Sequence, residues 1–219
     1  MPIYLMSLIE TLRKYPEMMS QEGIFRKAGS VEEEDEIINS LPSLTKVGTL
    51  KMPETDMYSG YAIAGVIKKF FTSLEIPIVP YRIYNKVISL DKIKEEEEID
   101  VVRNLIFEIP PFNRKIILYM INFLRTEIVP NETTKMNFHG MSVVFSPCFF
   151  RAETLSVQDL FNSGKFAGIL KILFYNYEKI IGKEEENKME KRGSKESKGS
   201  RGSRGSKGNS LQPLNSNNL

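Results

Sequence analysis

Through the first 182 residues, apolar residues recur at three- and four-residue spacing in one segment after another, and no segment alternates with a period of two. Side chains three and four positions apart lie one above the other on a helix, so this spacing writes apolar stripes onto α-helices and argues against strands. Ile3, Leu5, Leu8, Ile9 and Leu12 form the first stripe, and Pro16 stops it. Ser30 with Glu33 reads as a capping box that opens a second helix, which carries Ile37, Ile38 and Leu41 and ends before Pro42. A third helix runs from about Ser59 to Leu74 with Ile63, Val66, Ile67, Phe70 and Phe71 inward. Pro77 and Pro80 break the chain into an extended turn, and a fourth helix passes through Tyr84, Val87 and Ile88.

The acidic run Glu95–Glu98 suits a helix start, where negative charge complements the backbone dipole; Val102, Leu105 and Ile106 follow it. Pro110 and Pro111 close that helix and open the next, with Ile117, Met120, Ile121 and Leu124 as its stripe. Asn131 precedes a helix expected to run through Met136 to Phe145 and to close at Pro147, and a last long helix starts at about Lys165. The sum is an all-α bundle of about eight or nine helices.

Composition changes near residue 183. Residues 183–219 are expected to be a disordered, basic Gly/Ser-rich tail beside a single helical domain over 1–182, because the tail has almost nothing apolar to bury. The formal charge of +2 is uneven: seven Lys or Arg and one acidic residue, Glu196, fall after Glu190, so residues 191–219 carry +6 and residues 1–190 carry −4. The helical part is not a basic nucleic-acid binder, and no DNA partner is expected. The tail reads either as a solvated linker or as a basic arm of the kind that makes weak contact with an anionic membrane surface or RNA. No stretch approaches the roughly 20 apolar residues of a membrane span, and the first residues do not read as a signal peptide, so a soluble cytoplasmic location is expected.

Enzyme chemistry has little to work with. There is one histidine, His139, and one cysteine, Cys148. A zinc site takes about three or four protein ligands, and a nucleophilic triad would have to use His139, which sits in a helical pattern as an ordinary surface residue would. The carboxylates cluster in runs typical of solvated faces, and no GxxxxGK[ST] phosphate loop is present.

What stands out is EGIFRKAGS, Glu22–Ser30, between the first two long helices. Gly23 and Gly29 bracket it and let the backbone turn. Ile24 and Phe25 are apolar enough to anchor it in the core, and Arg26 follows them, placed to reach outward. The segment resembles the EGIFR-x-SG-S signature of RhoGAP domains. Further resemblances come in the family's order: the opening Met1–Leu5; VIKKFFTSLEIPIVP (Val66–Pro80), similar to LLKxFLRELPEPLIP; IPPFNR (Ile109–Arg114), similar to LPPxNR; and Lys135-Met136 with VVFSP (Val143–Pro147), similar to KM…NLAxVFGPNLL. Together they cover about residues 2 to 180.

The resemblance implies an activator of GTP hydrolysis by a Rho/Rac/Cdc42-type small G protein, with Arg26 as the catalytic arginine inserted in trans. The activator has no hydrolase site of its own and needs no cofactor, since GTP and magnesium are held by the partner. Lys68 matches the family lysine that supports the arginine loop and faces the partner. Pro77 matches the proline that shapes the following turn, and Arg114 an arginine read as structural. Thr72 stands where the family has an arginine. Gly140 stands where it has an asparagine that contacts the G protein, with Asn137 one turn earlier as a partial substitute. The partner-binding set is therefore Lys68, Pro77, Asn137 and Gly140. Arg26 favours an active GTPase activator. Gly140 favours a non-activating binding module of the same fold. The ordered series of motifs argues against an unrelated helical scaffold.

Overall fold

The computed structural model describes residues 1–44, 46–51, 58–90, 94–154 and 156–182. The tail read above as disordered lies outside the described residues. Among these residues there are ten α-helices and no strand. They are α1 (Ile3–Lys14), α2 (Pro16–Met19), α3 (Val31–Ser40), α4 (Gly60–Thr72), α5 (Tyr81–Ser89), α6 (Glu98–Glu108), α7 (Pro111–Phe123), α8 (Phe138–Phe149), α9 (Val157–Tyr175) and α10 (Tyr177–Ile181). Two of them, α2 and α10, are single turns of four and five residues, which accounts for a number above the expected eight or nine.

The stripes face inward as the spacing requires. Leu5, Leu8, Ile9 and Leu12 of α1 have no exposed surface, nor do Ile63, Ile67 and Phe71 of α4. Each such side chain contributes about 1.5–3 kcal/mol by leaving water. Helix α8 runs through the middle of the core: Phe149 meets Phe71 of α4 edge-on at 5.0 Å, and Phe138 stacks on Phe174 of α9 at 5.5 Å. The start of α8 thus lies against the end of α9, so the two run antiparallel.

Capping departs from expectation in one place. The Ser30 hydroxyl accepts from the Glu33 amide at 3.3 Å. The Glu33 carboxylate does not return the bond. It accepts from the Ser59 hydroxyl at 2.7 Å instead, while that same hydroxyl caps the Ala62 amide at 3.1 Å. Half of the capping box therefore serves to tie the start of α4 to α3.

Three boundaries are corrected. Asn131 does not open a long helix: it caps a short 3-10 turn, Glu132–Thr134, and Lys135 then takes a left-handed conformation that ends it. Asn137 is the cap of α8. Pro147 does not close α8, which continues to Phe149. A proline leaves the carbonyl four residues earlier without its amide partner, and here the Ser146 hydroxyl donates to that Val143 carbonyl at 3.2 Å. The last long helix begins at Val157 rather than near Lys165.

Between α7 and α8 the chain makes one turn of π-helix, Leu124–Ile128. It turns Glu127 back toward α1, where the Arg13 guanidinium grips the carboxylate with Nε at 2.9 Å and Nη2 at 2.5 Å. The paired geometry is the strong form of this contact. It fixes the base from which residues 131–136 extend toward the loop carrying Arg26.

Candidate functional site

The loop after α2 begins with Gly23 in the left-handed region, φ +76°, where glycine carries no steric cost. Phe25 is also left-handed, φ +68°. For a residue with a Cβ this conformation costs about 1–2 kcal/mol, so the surroundings must hold it. The ring has no exposed surface and packs between Phe123 and Phe145, with centroids at 6.5 and 5.4 Å. The Phe25 carbonyl accepts from the Lys68 ammonium at 2.7 Å. The Gly23 carbonyl accepts from both the Arg26 and Lys27 amides, at 2.9 and 2.8 Å. Phe25 therefore points inward and Arg26 outward, on a backbone tied by three hydrogen bonds. The Arg26 side chain is exposed, and no hydrogen bond or ion pair engages its guanidinium among the described residues.

A second set of contacts comes from the α7–α8 connection. The Gly23 amide donates to the Thr134 carbonyl at 2.6 Å. Thr134 is buried, and its hydroxyl donates to the Ile128 carbonyl at 3.1 Å at the end of the π-turn. The next residue, Lys135, is the other non-glycine in the left-handed region among the described residues, φ +49°. Its ammonium lies 2.7 Å from the Glu22 carboxylate, with Lys27 at 3.9 Å on the other oxygen. The hydrogen bond and charge of Lys135, and then the charge of Lys27, hold the Glu22 carboxyl below the usual carboxylate range.

Helix α4 supplies the third side. Gly29 does not need its conformational freedom; it needs the absence of a side chain, because a Cβ there would lie 2.5 Å from the Ala62 nitrogen. Adjacent lysines of α4 do different things. Lys68 reaches the loop, whereas Lys69 pairs with Glu34 at 2.9 Å. Gly65 makes room for that carboxylate, since a Cβ would sit 1.9 Å from Glu34 Oε1.

The other expected site residues are placed as follows. Pro77 is buried in the turn past the far end of α4. Asn113 Nδ2 secures that turn by donating to the Ile78 carbonyl at 2.8 Å. Asn137 is exposed and not within a helix as expected; its side-chain oxygen accepts from the Gly140 amide at 2.8 Å, which is what starts α8. Gly140 is thus in the first turn of α8 rather than in a helix interior, where glycine would cost roughly 1 kcal/mol relative to alanine. Around it a Cβ would meet only Met136 Cε at 3.4 Å and Asn137 Oδ1 at 3.5 Å. Arg114 donates to the Phe107 carbonyl at 2.8 Å and lies over the Phe107 ring. Where Thr72 replaces the family's arginine, Arg151 arrives from beyond α8 and donates to the Thr72 carbonyl at 2.9 Å and to that of Leu74.

Sequence reasoning gave no role to Glu22, Tyr61, Thr134, Lys135 or Arg151. For Tyr61 a signal existed: it stands seven residues before Lys68, on the same face of one helix. Among the described residues there is no cluster of metal-ligating side chains, and no helix is long and apolar enough to cross a membrane.

The RhoGAP domain family model matches residues 2–154. Over 186 residues the chain is 30% identical to the GTPase activating protein homolog 4 of Dictyostelium discoideum, covering 82% of this chain and 19% of that protein. It is similar in fold to human Rho GTPase activating protein 15, with a TM-score of 0.66, 23% identity and coverage of 83% of this chain and 84% of that one. The BH domain from Graf, the GTPase regulator associated with focal adhesion kinase, gives a TM-score of 0.64 at 20% identity, covering 81% and 92%. The chain spans between a tenth and a fifth of the length of the first curated relatives it matches. With the family match extending over well more than half of its residues, the chain belongs to the RhoGAP domain family.

Proposed function

We propose that this chain accelerates GTP hydrolysis by a Rho-type small G protein and that Arg26 is the arginine it supplies in trans. The observation that carries the reading is the contrast at one peptide: Phe25 buried, left-handed and gripped at its carbonyl, and Arg26 next to it, exposed and unpaired among the described residues. A side chain meant only for the surface has no need of so fixed a backbone.

The chemistry accounts for how few residues are needed. In phosphoryl transfer, positioning and charge stabilisation dominate. The G protein binds GTP and magnesium; this chain adds a guanidinium where negative charge develops on the transferring group. Arginine suits the task because it stays charged and presents a rigid fork of donors. A finger supplied in trans is worth roughly 10³–10⁵ in rate. Lys68 acts one step back, through Phe25. The basic tail adds weak attraction to anionic lipid, near which lipid-anchored partners would lie.

Single-turnover hydrolysis by a panel of Rho-type proteins, with this chain in excess, tests the reading. Arg26→Ala should remove most of the acceleration and leave binding largely intact, and Arg26→Lys should restore little, because a point charge lacks the fork. The second reading, a module that binds without accelerating, draws on Gly140, which offers a partner no side chain. Binding to a G protein with no acceleration of any of them decides for that module.

A further inference from the structure

We propose that Tyr61 is a second positioning residue for the arginine loop, working with Lys68 as a two-point grip from one face of α4. The inference deepens the activator reading and rests on it for its catalytic arm.

Tyr61 and Lys68 are seven residues apart, so they project from the same side of the helix, separated by about 10 Å along its axis. Each ends on a backbone carbonyl of the same loop. The Tyr61 hydroxyl donates to the Glu22 carbonyl at 2.8 Å, and the Lys68 ammonium to the Phe25 carbonyl at 2.7 Å. Between these points lies the Gly23 carbonyl, already taken by the Arg26 and Lys27 amides. Tyr61 also meets the loop elsewhere. The Lys27 ammonium stands 6.0 Å over its ring, and the bare α-carbon of Gly29 packs against the Tyr61–Ala62 backbone. The loop therefore touches Tyr61 before Arg26, just after it, and at its end.

Two carbonyls three residues apart, fixed from one rigid helix, leave the intervening peptide little room to rotate. A single grip at Phe25 would leave the loop able to swing about that point, and the direction of Arg26 with it. A phenol suits the outer grip: it is long enough to span from helix to loop and has only two torsions to order, so it loses less freedom on fixing than a lysine would. The half-exposed ring is not needed to fill the core, which separates this role from one in folding.

The test uses Tyr61→Phe, which removes the hydroxyl and keeps the ring over Lys27. Hydrogen exchange of the free protein over residues 22–27 is measured beside single-turnover hydrolysis at saturating activator. The grip requires faster exchange in that segment, a maximal rate about two- to tenfold lower, unchanged affinity and unchanged thermal midpoint, and no further loss when Arg26→Ala is already present. Unchanged exchange and rate, or an equal loss in the Arg26→Ala background, overturns it. If the parent chain accelerates no G protein, the activator reading fails, and exchange alone judges the grip: faster exchange sustains it and unchanged exchange ends it.

Discussion

Lys68 reaches across forty-three residues of sequence to place its ammonium 2.7 Å from the carbonyl oxygen of Phe25. The donor is charged and the acceptor belongs to a residue in a costly conformation, so the bond fixes the peptide that aims Arg26. Lys68→Met keeps the aliphatic stem and removes the charge. A charge-assisted hydrogen bond contributes about 1.5–3 kcal/mol, so the maximal hydrolysis rate should fall roughly 10- to 150-fold, read in single-turnover assays. A fall no larger than that of Lys69→Met, whose ammonium pairs with Glu34 instead, contradicts the assignment.

Phe25 invites a comparison that is unusual for a core residue. Phe25→Ala should destabilise the fold by about 3–5 kcal/mol, measured by urea unfolding. Ordinarily glycine would be worse still. At φ +68° the alanine keeps the left-handed penalty and glycine does not, so Phe25→Gly should be less destabilising than Phe25→Ala, by up to about 1 kcal/mol.

Gly140→Asn should be tolerated by the fold, because the new Cβ meets only ordinary contacts at 3.4 and 3.5 Å and the Asn137 cap uses the backbone amide. If an asparagine at this position is what the site lacks, the rate rises about two- to tenfold, the worth of one hydrogen bond. An unchanged or lower rate removes Gly140 as the limiting feature.

Cys148 is 3% exposed, and burial pushes its thiol up to about 11, with Lys68 drawing it slightly back. Native protein should resist alkylation at pH 8 and label only on unfolding. In the unfolded chain the thiol ionises near 8.5. The folded state therefore binds the proton more tightly. The associated stability is complete below about 8.5 and is lost as pH rises through about 11. Urea titrations from pH 8 to 11 should show a decline that is smaller in Cys148→Ala; equal declines would refute the assignment.

Most of the bundle could be read from the chain, because a helix advertises itself by local spacing. The stripe of α1, its stop at Pro16, the cap at Ser30 and the proline opening α7 are all local facts. What could not be read depended on partners remote in sequence. Pro147 looks like a helix end until the Ser146 hydroxyl is seen to take over the Val143 carbonyl. Lys135 looks helical until its left-handed turn is found beside Glu22. At the site, Arg26 and Lys68 were legible through resemblance, and Ile24 and Phe25 as anchors through their apolarity. The reason Gly29 must be glycine, a helix backbone pressed against it, was not.

The loop is fastened to parts of the chain that are made much later. Gly23 is bonded to Thr134, Glu22 to Lys135, and Phe25 is packed on Phe145, all more than a hundred residues downstream. At a synthesis rate of about 5–20 residues per second, these anchors follow Arg26 off the ribosome by several to some tens of seconds. Throughout that interval the arginine exists with nothing to aim it. On the proposed reading, action on a partner begins only when the second half of the bundle has closed, so an unfinished chain cannot speed hydrolysis.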